Sequence, residues 1–225
     1  MERRPKQLVV AVDGPAGSGK STVSKLIAKK LGLLYVDTGA MYRALTLKAM
    51  RIGADLKDEK VLIGLAGTTK IDLQETGKLK VFLDGEDVST AIRTPEVTAN
   101  VKYIARVPGV RHEMVALQRS IGELRGAVLE GRDIGTVVFP KADYKFYLDA
   151  RPEERAKRRC KDLIELGGSP DIGQVKNDII SRDESDINRS VGALKKANDA
   201  MFIDTTNLSI DEVVEKMLAY VDKIS

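Results

Sequence analysis

The stretch from Leu8 to Leu31 constrains the fold of this 225-residue chain more than any other part of it. It begins with a continuous apolar run at 8–12, rich in β-branched residues, which is typical of a strand buried on both faces of a parallel sheet. A glycine-rich loop follows, and from Lys20 the apolar residues recur at helical spacing until Gly32, which favours a helix end. The order of strand, glycine loop and helix predicts an α/β fold built on a parallel sheet.

The loop matches a pattern that binds polyphosphates. Residues 14–21 read GPAGSGKS and fit G-x-x-x-x-G-K-[ST]. Glycines let backbone N–H groups surround a phosphate chain, Lys20 can reach the terminal phosphates, and the Ser21 hydroxyl can hold Mg²⁺. A chance glycine-rich turn is the alternative, but the strand before the loop and the helix after it argue against one. We therefore predict binding of a nucleoside triphosphate with Mg²⁺, through Gly14, Pro15, Ala16, Gly17, Ser18, Gly19, Lys20, Ser21 and Thr22.

Composition excludes several other classes of protein. The chain has 37 basic and 33 acidic side chains and 43% hydrophobic residues, so it can bury a core and is not expected to be disordered. A net charge of +4 is too small to indicate nucleic-acid binding. The single cysteine, Cys160, and the single histidine, His112, exclude a disulfide framework and a Cys/His zinc site. No G-x-S-x-G segment supports a serine hydrolase.

Length and the N-terminal residues set the expected organisation. A chain of 225 residues predicts one domain, 1–225, in the form of a core with an inserted subdomain. The charged start and the short apolar run, which ends at Asp13, fit neither a signal peptide nor a membrane span. We therefore expect a soluble, cytoplasmic protein with no membrane partner, and a monomer, because the pattern indicates no apolar patch.

The rest of the chain predicts an α/β alternation that a small antiparallel sheet interrupts. Residues 71–83 alternate around a glycine turn at 74–78, which is typical of a hairpin exposed on one face. The other predicted elements are a helix at about 40–52, a helix opened by Thr94-Pro95, strands at 127–130 and 144–149, a helix from Pro152, a strand at 201–204 and a helix after the capping box 209–212. The segment 167–170 reads as a flexible joint.

A phosphate-binding loop alone does not name a reaction, because switches, motors and kinases share it. A guanine-specific switch would need an Asn-Lys-x-Asp segment, which is absent, and a motor would be expected to be longer. A compact phosphotransferase remains, and its acceptor would need cations outside the loop, because two polyanions repel each other. Arginines in segments 37–43, 130–135, 151–159 and 182–189 could supply them, although any one of them could instead be a solvated surface group.

Together these segments resemble the bacterial-type cytidylate kinases, which transfer a phosphoryl group from ATP to CMP or dCMP. The resemblance runs from about Val9 to Tyr220. It rests on 13–22, on 37–43, on 131–140 and on Arg182-Asp183 followed by Asp186 and Asn188-Arg189. Many kinases share the first segment, and the other three are specific to this family in combination. The resemblance implies a three-layer P-loop kinase core at about 1–37, 104–150 and 191–225, an inserted hairpin and helix region at 38–103 that binds the monophosphate, and a helical lid at 151–190.

The resemblance also implies roles for individual residues. The acceptor phosphate would be clamped by Arg43, Arg132 and Arg189. The cytosine would be read by Thr38, Arg111 and Asp133, and the ribose hydroxyl by Asp186. Lys20, Arg132, Arg182 and Arg189 would be catalytic, with Arg158 closing on ATP. Ser21 would hold Mg²⁺, as Asp37 would through a water, and a cap at the strand end is the alternative for Asp37.

Asp133 suits a cytosine site on chemical grounds as well. A carboxylate can accept from the amino group of cytosine, whereas uracil presents an oxygen at the same place. Lys102 departs from the family, which commonly has a serine there; it either alters a contact to the base or sugar or points to solvent. Two alternatives to the whole interpretation are a kinase for UMP or another small acceptor, and a non-catalytic nucleotide-binding regulator that binds RNA through 151–159.

Overall fold

The computed structural model describes residues 8–75, 79–165 and 167–224. Its strands are β1 (Val9–Asp13), β2 (Leu34–Asp37), β3 (Ile71–Glu75), β4 (Leu79–Leu83), β5 (Glu86–Asp87), β6 (Ala127–Gly131), β7 (Tyr144–Asp149) and β8 (Met201–Asp204). Five of them form a parallel sheet in the order β2-β6-β1-β7-β8, and β3, β4 and β5 form a separate antiparallel sheet. The predicted α/β fold with an inserted hairpin is confirmed. Of the turn predicted at 74–78, Gln74 and Glu75 instead pair with β4 as the end of β3, and 76–78 lie outside the described residues.

Eight α-helices are described. They are α1 (Lys20–Leu31), α2 (Thr38–Arg51), α3 (Glu59–Thr68), α4 (Pro95–Ala105), α5 (Pro108–Arg125), α6 (Pro152–Glu165), α7 (Ile172–Ile187) and α8 (Ile210–Ile224). The helices predicted after the loop, after Thr94, from Pro152 and after the capping box are confirmed. Helix α2 begins two residues earlier than we predicted, because Asp37 accepts the Ala40 N–H and caps it.

The sheet lies between two helical layers, each with its own core. On one face, α1 and α8 bury Ile27 and Met217 against the strands. On the other face, residues of α2, α4 and α5 such as Met41, Ile104 and Met114 form the larger cluster, which continues into the small sheet. Strand β1 is buried along its whole length, as its continuous apolar pattern predicts.

Helices α6 and α7 pack on each other around a separate small cluster. It contains Ala156, Cys160, Val175 and Ile179. The segment 167–170, predicted to be a joint, lies between these two helices. Within the described residues, no helix is long and apolar enough to cross a membrane.

Candidate active site

The glycine loop follows β1 at the carboxyl edge of the parallel sheet. Gly14, Gly17 and Gly19 have φ values of 149°, 76° and 90°, a range of backbone conformation that residues with a Cβ rarely adopt. A Cβ at Gly14 would collide with the carbonyl oxygen of Leu148, so the loop needs glycine there for space as well. Helix α1 begins directly after Gly19, and its free N–H groups therefore face the loop.

Lys20 lies across this loop and is buried. Its Nζ donates to the carbonyl oxygen of Pro15 at 2.6 Å and to Ser18 Oγ at 3.3 Å. Burial, together with the nearby Arg132 and Arg182, lowers the pKa of Lys20 to about 7. The charged ammonium is therefore costly in the loop as it stands, and an anion bound there would stabilise it.

Ser21 meets a carboxylate that we did not predict as a functional residue. Its hydroxyl donates to Glu130 Oε2 at 3.0 Å, and the Tyr35 hydroxyl donates to the other oxygen of Glu130. Burial raises the pKa of Glu130, and the charge of Asp37 adds to this. The strand register pairs Asp37 with Glu130 at the sheet edge, so a charged residue ending a buried strand was the available signal.

Asp37 and Thr38 join the end of β2 to the start of α2. Asp37 forms the helix cap described above and an ion pair of 3.0 Å with Arg43. Burial raises its pKa, but Arg43 and the Ala40 N–H outweigh burial and hold that pKa below its usual value. The cap that we considered for Asp37 is therefore present. The Thr38 hydroxyl donates to the Glu130 carbonyl oxygen at 2.7 Å.

Asp186 joins two of the predicted acceptor arginines. Its carboxylate, on α7, accepts from Arg132 Nε at 2.8 Å and forms an ion pair with Arg189. Burial raises the pKa of Asp186, but the surrounding arginines hold it below its usual value. The structure therefore brings Arg132 and Arg189 together on one carboxylate, whereas Arg43 forms its ion pair with Asp37.

Arg182 stands out because it is partly buried and unpaired. Among the described residues, no carboxylate or carbonyl accepts a hydrogen bond from its guanidinium. Burial and the positive charge of Arg132 lower its pKa to about 10, with a smaller contribution from Arg43. A guanidinium held beside other cations, with no carboxylate in direct contact, is a strong position for an incoming phosphate.

The predicted cytosine readers Arg111 and Asp133 form a buried ion pair. Arg111 also lies 5.6 Å from the centre of the Tyr42 ring. Arg111 Nε and the Tyr42 hydroxyl are buried and have no hydrogen-bond partner within the described residues. A polar ligand that bonded to these two atoms would remove the free-energy cost of leaving them buried without a hydrogen bond. Tyr42 was not among our predicted site residues, and its aromatic ring beside Arg43 gave no specific signal.

The two helices α6 and α7 contact the glycine loop through a second buried ion pair, Arg155–Asp183. Arg155 Nη1 donates to the Ala16 carbonyl oxygen at 3.1 Å, and Asp183 Oδ1 accepts from the Ala16 N–H at 3.4 Å. Arg158, predicted to contact ATP, donates to the Thr205 hydroxyl at 3.0 Å beside the loop. Arg155 was not predicted, because nothing in the sequence separates it from the other arginines of α6.

Lys102 lies on α4 with its side chain exposed, 5.2 Å from the ring of Tyr103. This placement agrees with the solvent-facing alternative that we considered for it.

Of the oxygen donors suited to Mg²⁺, the site offers the Ser21 hydroxyl and the carboxylates of Glu130 and Asp37. The described residues form no group of three or more His, Cys, Asp or Glu side chains that could hold a metal by themselves. A metal here would therefore share its ligands with a substrate phosphate, as Mg²⁺ commonly does.

Comparisons with known proteins agree with this geometry. Residues 10–223 match the family model for cytidylate kinase. The cytidylate kinase of Desulforamulus reducens is 52% identical over 214 residues, which cover 95% of this chain and 96% of that protein. The cytidylate kinase of Clostridioides difficile is 49% identical over 215 residues, covering 96% and 98%. A gluconokinase structure from Sinorhizobium meliloti 1021 aligns with a TM-score of 0.50 and 15% identity over 98% of this chain and 95% of that one, which shows a shared fold alone.

Proposed function

The chain belongs to the cytidylate kinase family, and from this membership we infer that it transfers the γ-phosphoryl group of ATP to CMP or dCMP, giving CDP or dCDP. One observation in the site supports the inference above all others. Arg132 lies close enough to Lys20 and to Arg182 to lower the pKa of each, and Arg182 lowers the pKa of Lys20 as well. Unbalanced positive charge between a triphosphate loop and an acceptor site suits a reaction that brings two anions together.

We propose that catalysis consists of positioning and charge stabilisation. The acceptor phosphate is already mostly ionised at pH 7, because its second pKa lies near 6, so the reaction needs no general base. Lys20 and the loop N–H groups hold the β- and γ-phosphates. Arg132, Arg182 and Arg189 neutralise the charge that spreads over the transferring group in the in-line transition state. Each of these four side chains counts as catalytic in the proposal.

The residues around Ser21 fit Mg²⁺. Ser21 donates its proton to Glu130, so the lone pairs of its oxygen are free to coordinate a cation. We propose that Ser21 holds the metal directly, that Asp37 holds it through a water, and that Glu130 orients Ser21. When bound with ATP, Mg²⁺ neutralises phosphate charge.

The acceptor nucleotide occupies the side of the site formed by α2, α5 and α7 in this proposal. Arg43, Arg132 and Arg189 bind its phosphate. Thr38, Arg111 and Asp133 read the cytosine, with the free Tyr42 hydroxyl as an added partner. Asp186 accepts from the ribose hydroxyl and also aligns Arg132 with Arg189, since it pairs with both.

ATP lies on the opposite side, in the loop 14–22 and against Arg158. We propose that the segment 151–190 acts as a lid. Its contacts with Ala16 support this, because a lid that excludes water must reach the phosphate loop. We further propose that the protein works in the cytoplasm as a monomer, without nucleic-acid or membrane partners.

A panel of acceptors tests the proposed function. The protein is incubated with ATP and Mg²⁺ and with CMP, dCMP, UMP or AMP in turn, and nucleoside diphosphate formation is measured. We expect CMP and dCMP to be phosphorylated much faster than the others. Fastest turnover of UMP would make the protein a kinase of another acceptor. Salt-dependent RNA binding without any phosphoryl transfer would favour the regulator instead.

A further inference from the structure

A short π-helix follows the two acceptor residues Arg132 and Asp133. It spans Ile134–Val138, and in it the Val138 N–H donates to the Asp133 carbonyl oxygen at 3.2 Å and the Phe139 N–H to that of Ile134 at 2.7 Å. A helix of five residues cannot be stable by itself. Short π-helical turns are also rare and frequently lie at functional sites. Contacts with the rest of the protein must therefore fix this segment in place.

Asp13, the last residue of β1, holds the first end of the π-helix. Its two carboxylate oxygens accept from the N–H groups of Ile134 at 2.8 Å and Gly135 at 2.7 Å. The side chain is buried, and it has no ion-pair partner within the described residues. The charged groups that act on it are Asp133 and Lys20. A carboxylate placed this way satisfies N–H groups that a helix start leaves free.

Arg119, on α5, holds the other end. Its Nε donates to the Val138 carbonyl oxygen at 2.7 Å and its Nη2 to that of Val137 at 2.8 Å. The segment thus has a negative charge at its N–H end and a positive charge at its carbonyl end. That arrangement complements the dipole of the backbone at both ends.

We propose that Asp13 and Arg119 are positioning residues for the acceptor site, acting through the π-helix that they hold. Arg132 and Asp133 directly precede this helix, so its placement sets where their side chains lie. Asp13 also directly precedes Gly14, so one residue connects the triphosphate loop to the acceptor segment. The inference rests on the proposed function, since it assigns both residues to the binding of the acceptor monophosphate.

Burial raises the pKa of Asp13 to about 6, although the two backbone N–H groups oppose this. The carboxylate is therefore mostly ionised at pH 7.5, where both oxygens can accept. An Asn side chain at this position would present an N–H to one of the two backbone N–H groups. That end of the π-helix would then move, while the buried volume would stay almost unchanged.

Arg119→Ala provides the first test, with Arg125→Ala as the matched control. Both arginines are exposed on α5, but the Arg125 side chain donates no hydrogen bond among the described residues. We expect Arg119→Ala to raise KM for the acceptor by about threefold to tenfold, with KM for ATP changed less than about twofold, because small misplacements of binding groups are costly. Asp13→Asn should lower kcat/KM for the acceptor by about 10-fold to 100-fold, because it displaces the start of the π-helix and with it the acceptor-binding residues. Arg119→Lys, which keeps one donor, should recover part of the loss.

The outcomes are distinct. The acceptor used is the monophosphate that the wild-type protein phosphorylates fastest. The test of Asp13 and Arg119 therefore remains valid even if that acceptor is not CMP. A selective rise in the acceptor KM for Arg119→Ala, absent in Arg125→Ala, supports the role. Equal kinetics for these two variants would overturn it, as would equal rises in KM for ATP and acceptor. If Asp13→Asn fails to fold, the comparison of the Arg119 and Arg125 variants still decides.

Discussion

Lys20 is the residue whose charge depends most on what the site contains. In the free protein, burial and two neighbouring arginines hold its pKa at about 7, so its ammonium is only partly protonated at neutral pH. Phosphate oxygens next to Nζ favour the charged form and raise that pKa. Binding of a triphosphate should therefore take up protons between about pH 7 and pH 8, and affinity should fall as pH rises through this range.

Calorimetric titration of a non-hydrolysable ATP analogue, in buffers of different ionisation enthalpy, measures this proton uptake. We expect the wild-type protein to take up more protons than Lys20→Met, which cannot titrate. The difference between the two removes the contribution of the nucleotide's own phosphates. Lys20→Met should also lower kcat by about 10²-fold to 10³-fold, the cost of one lost charge-stabilising donor. Equal uptake in both proteins would mean that Lys20 does not contact the phosphates.

Arg132 should affect the binding of the acceptor but not the binding of ATP. Because Arg132 pairs with Asp186 on the acceptor side, Arg132→Ala should greatly weaken the binding and phosphorylation of CMP and leave ATP affinity close to normal. Arg125→Ala again serves as the control, and calorimetry gives both affinities. Loss of ATP affinity with CMP affinity retained would show that the two sites are interchanged.

Asp133 tests the base-reading role. Asp133→Asn replaces an acceptor with a group that can also donate, so CMP affinity should fall more than UMP affinity. The substitution also leaves Arg111 without its counter-charge, so the unfolding free energy is measured in parallel. Equal losses for the two nucleotides would place base recognition at another residue.

Among elements, the pair of helices α6 and α7 depends most on a single contact. Arg155 and Asp183 are buried and join the two helices to the Ala16 backbone. Removing one partner leaves the other charge buried without compensation, so Arg155→Met should lower the unfolding free energy by about 3–5 kcal/mol. KM for ATP should rise, because the loop loses the Arg155 contact.

The double variant Arg155→Met/Asp183→Asn is the control, since it removes both charges. We expect urea denaturation to show the double variant to be more stable than the single variant, with KM for ATP still raised. If the single and double variants are equally stable, the ion pair does not couple the helices to the loop.

Local signals account for the elements that were predicted from the sequence. Strand β1 and helix α1 follow from residues within a few positions of one another, and so does the cap at Thr94. The π-helix at 134–138 could not be predicted this way, because its first N–H groups bond to Asp13, which is 121 residues from Ile134 in sequence. The start of α2 was misplaced by two residues, because the Asp37 side chain caps the helix and lets it begin at Thr38.

The site residues likewise divide into those with a local sequence signal and those whose role depends on distant partners. The glycine loop was identified by its own spacing, and Arg132 by its place at a strand end. Glu130 and Arg155 were missed, because their importance comes from partners far along the chain, namely Ser21 and Asp183. Sequence patterns therefore locate the strand ends at which a site forms, while folding decides which charges meet there.

At the scale of the whole molecule, the account requires two anions to lie between the glycine loop on one side and three arginines on the other: Arg132 directly after β6, Arg182 on α7 and Arg189 just after it. A single ligand that carries both nucleotides should then occupy both sites at once. Linking the two converts the second binding event into an intramolecular one, which strengthens binding without new contacts.

The affinity of adenosine-pentaphosphate-cytidine, in which five phosphates join the two nucleosides, measures this most directly. We predict a Kd at least about 100-fold lower than that of ATP or CMP alone, and loss of most of this gain in Arg132→Ala. A linked ligand that binds no more tightly than ATP would show that the two sites do not face each other, and would contradict the account.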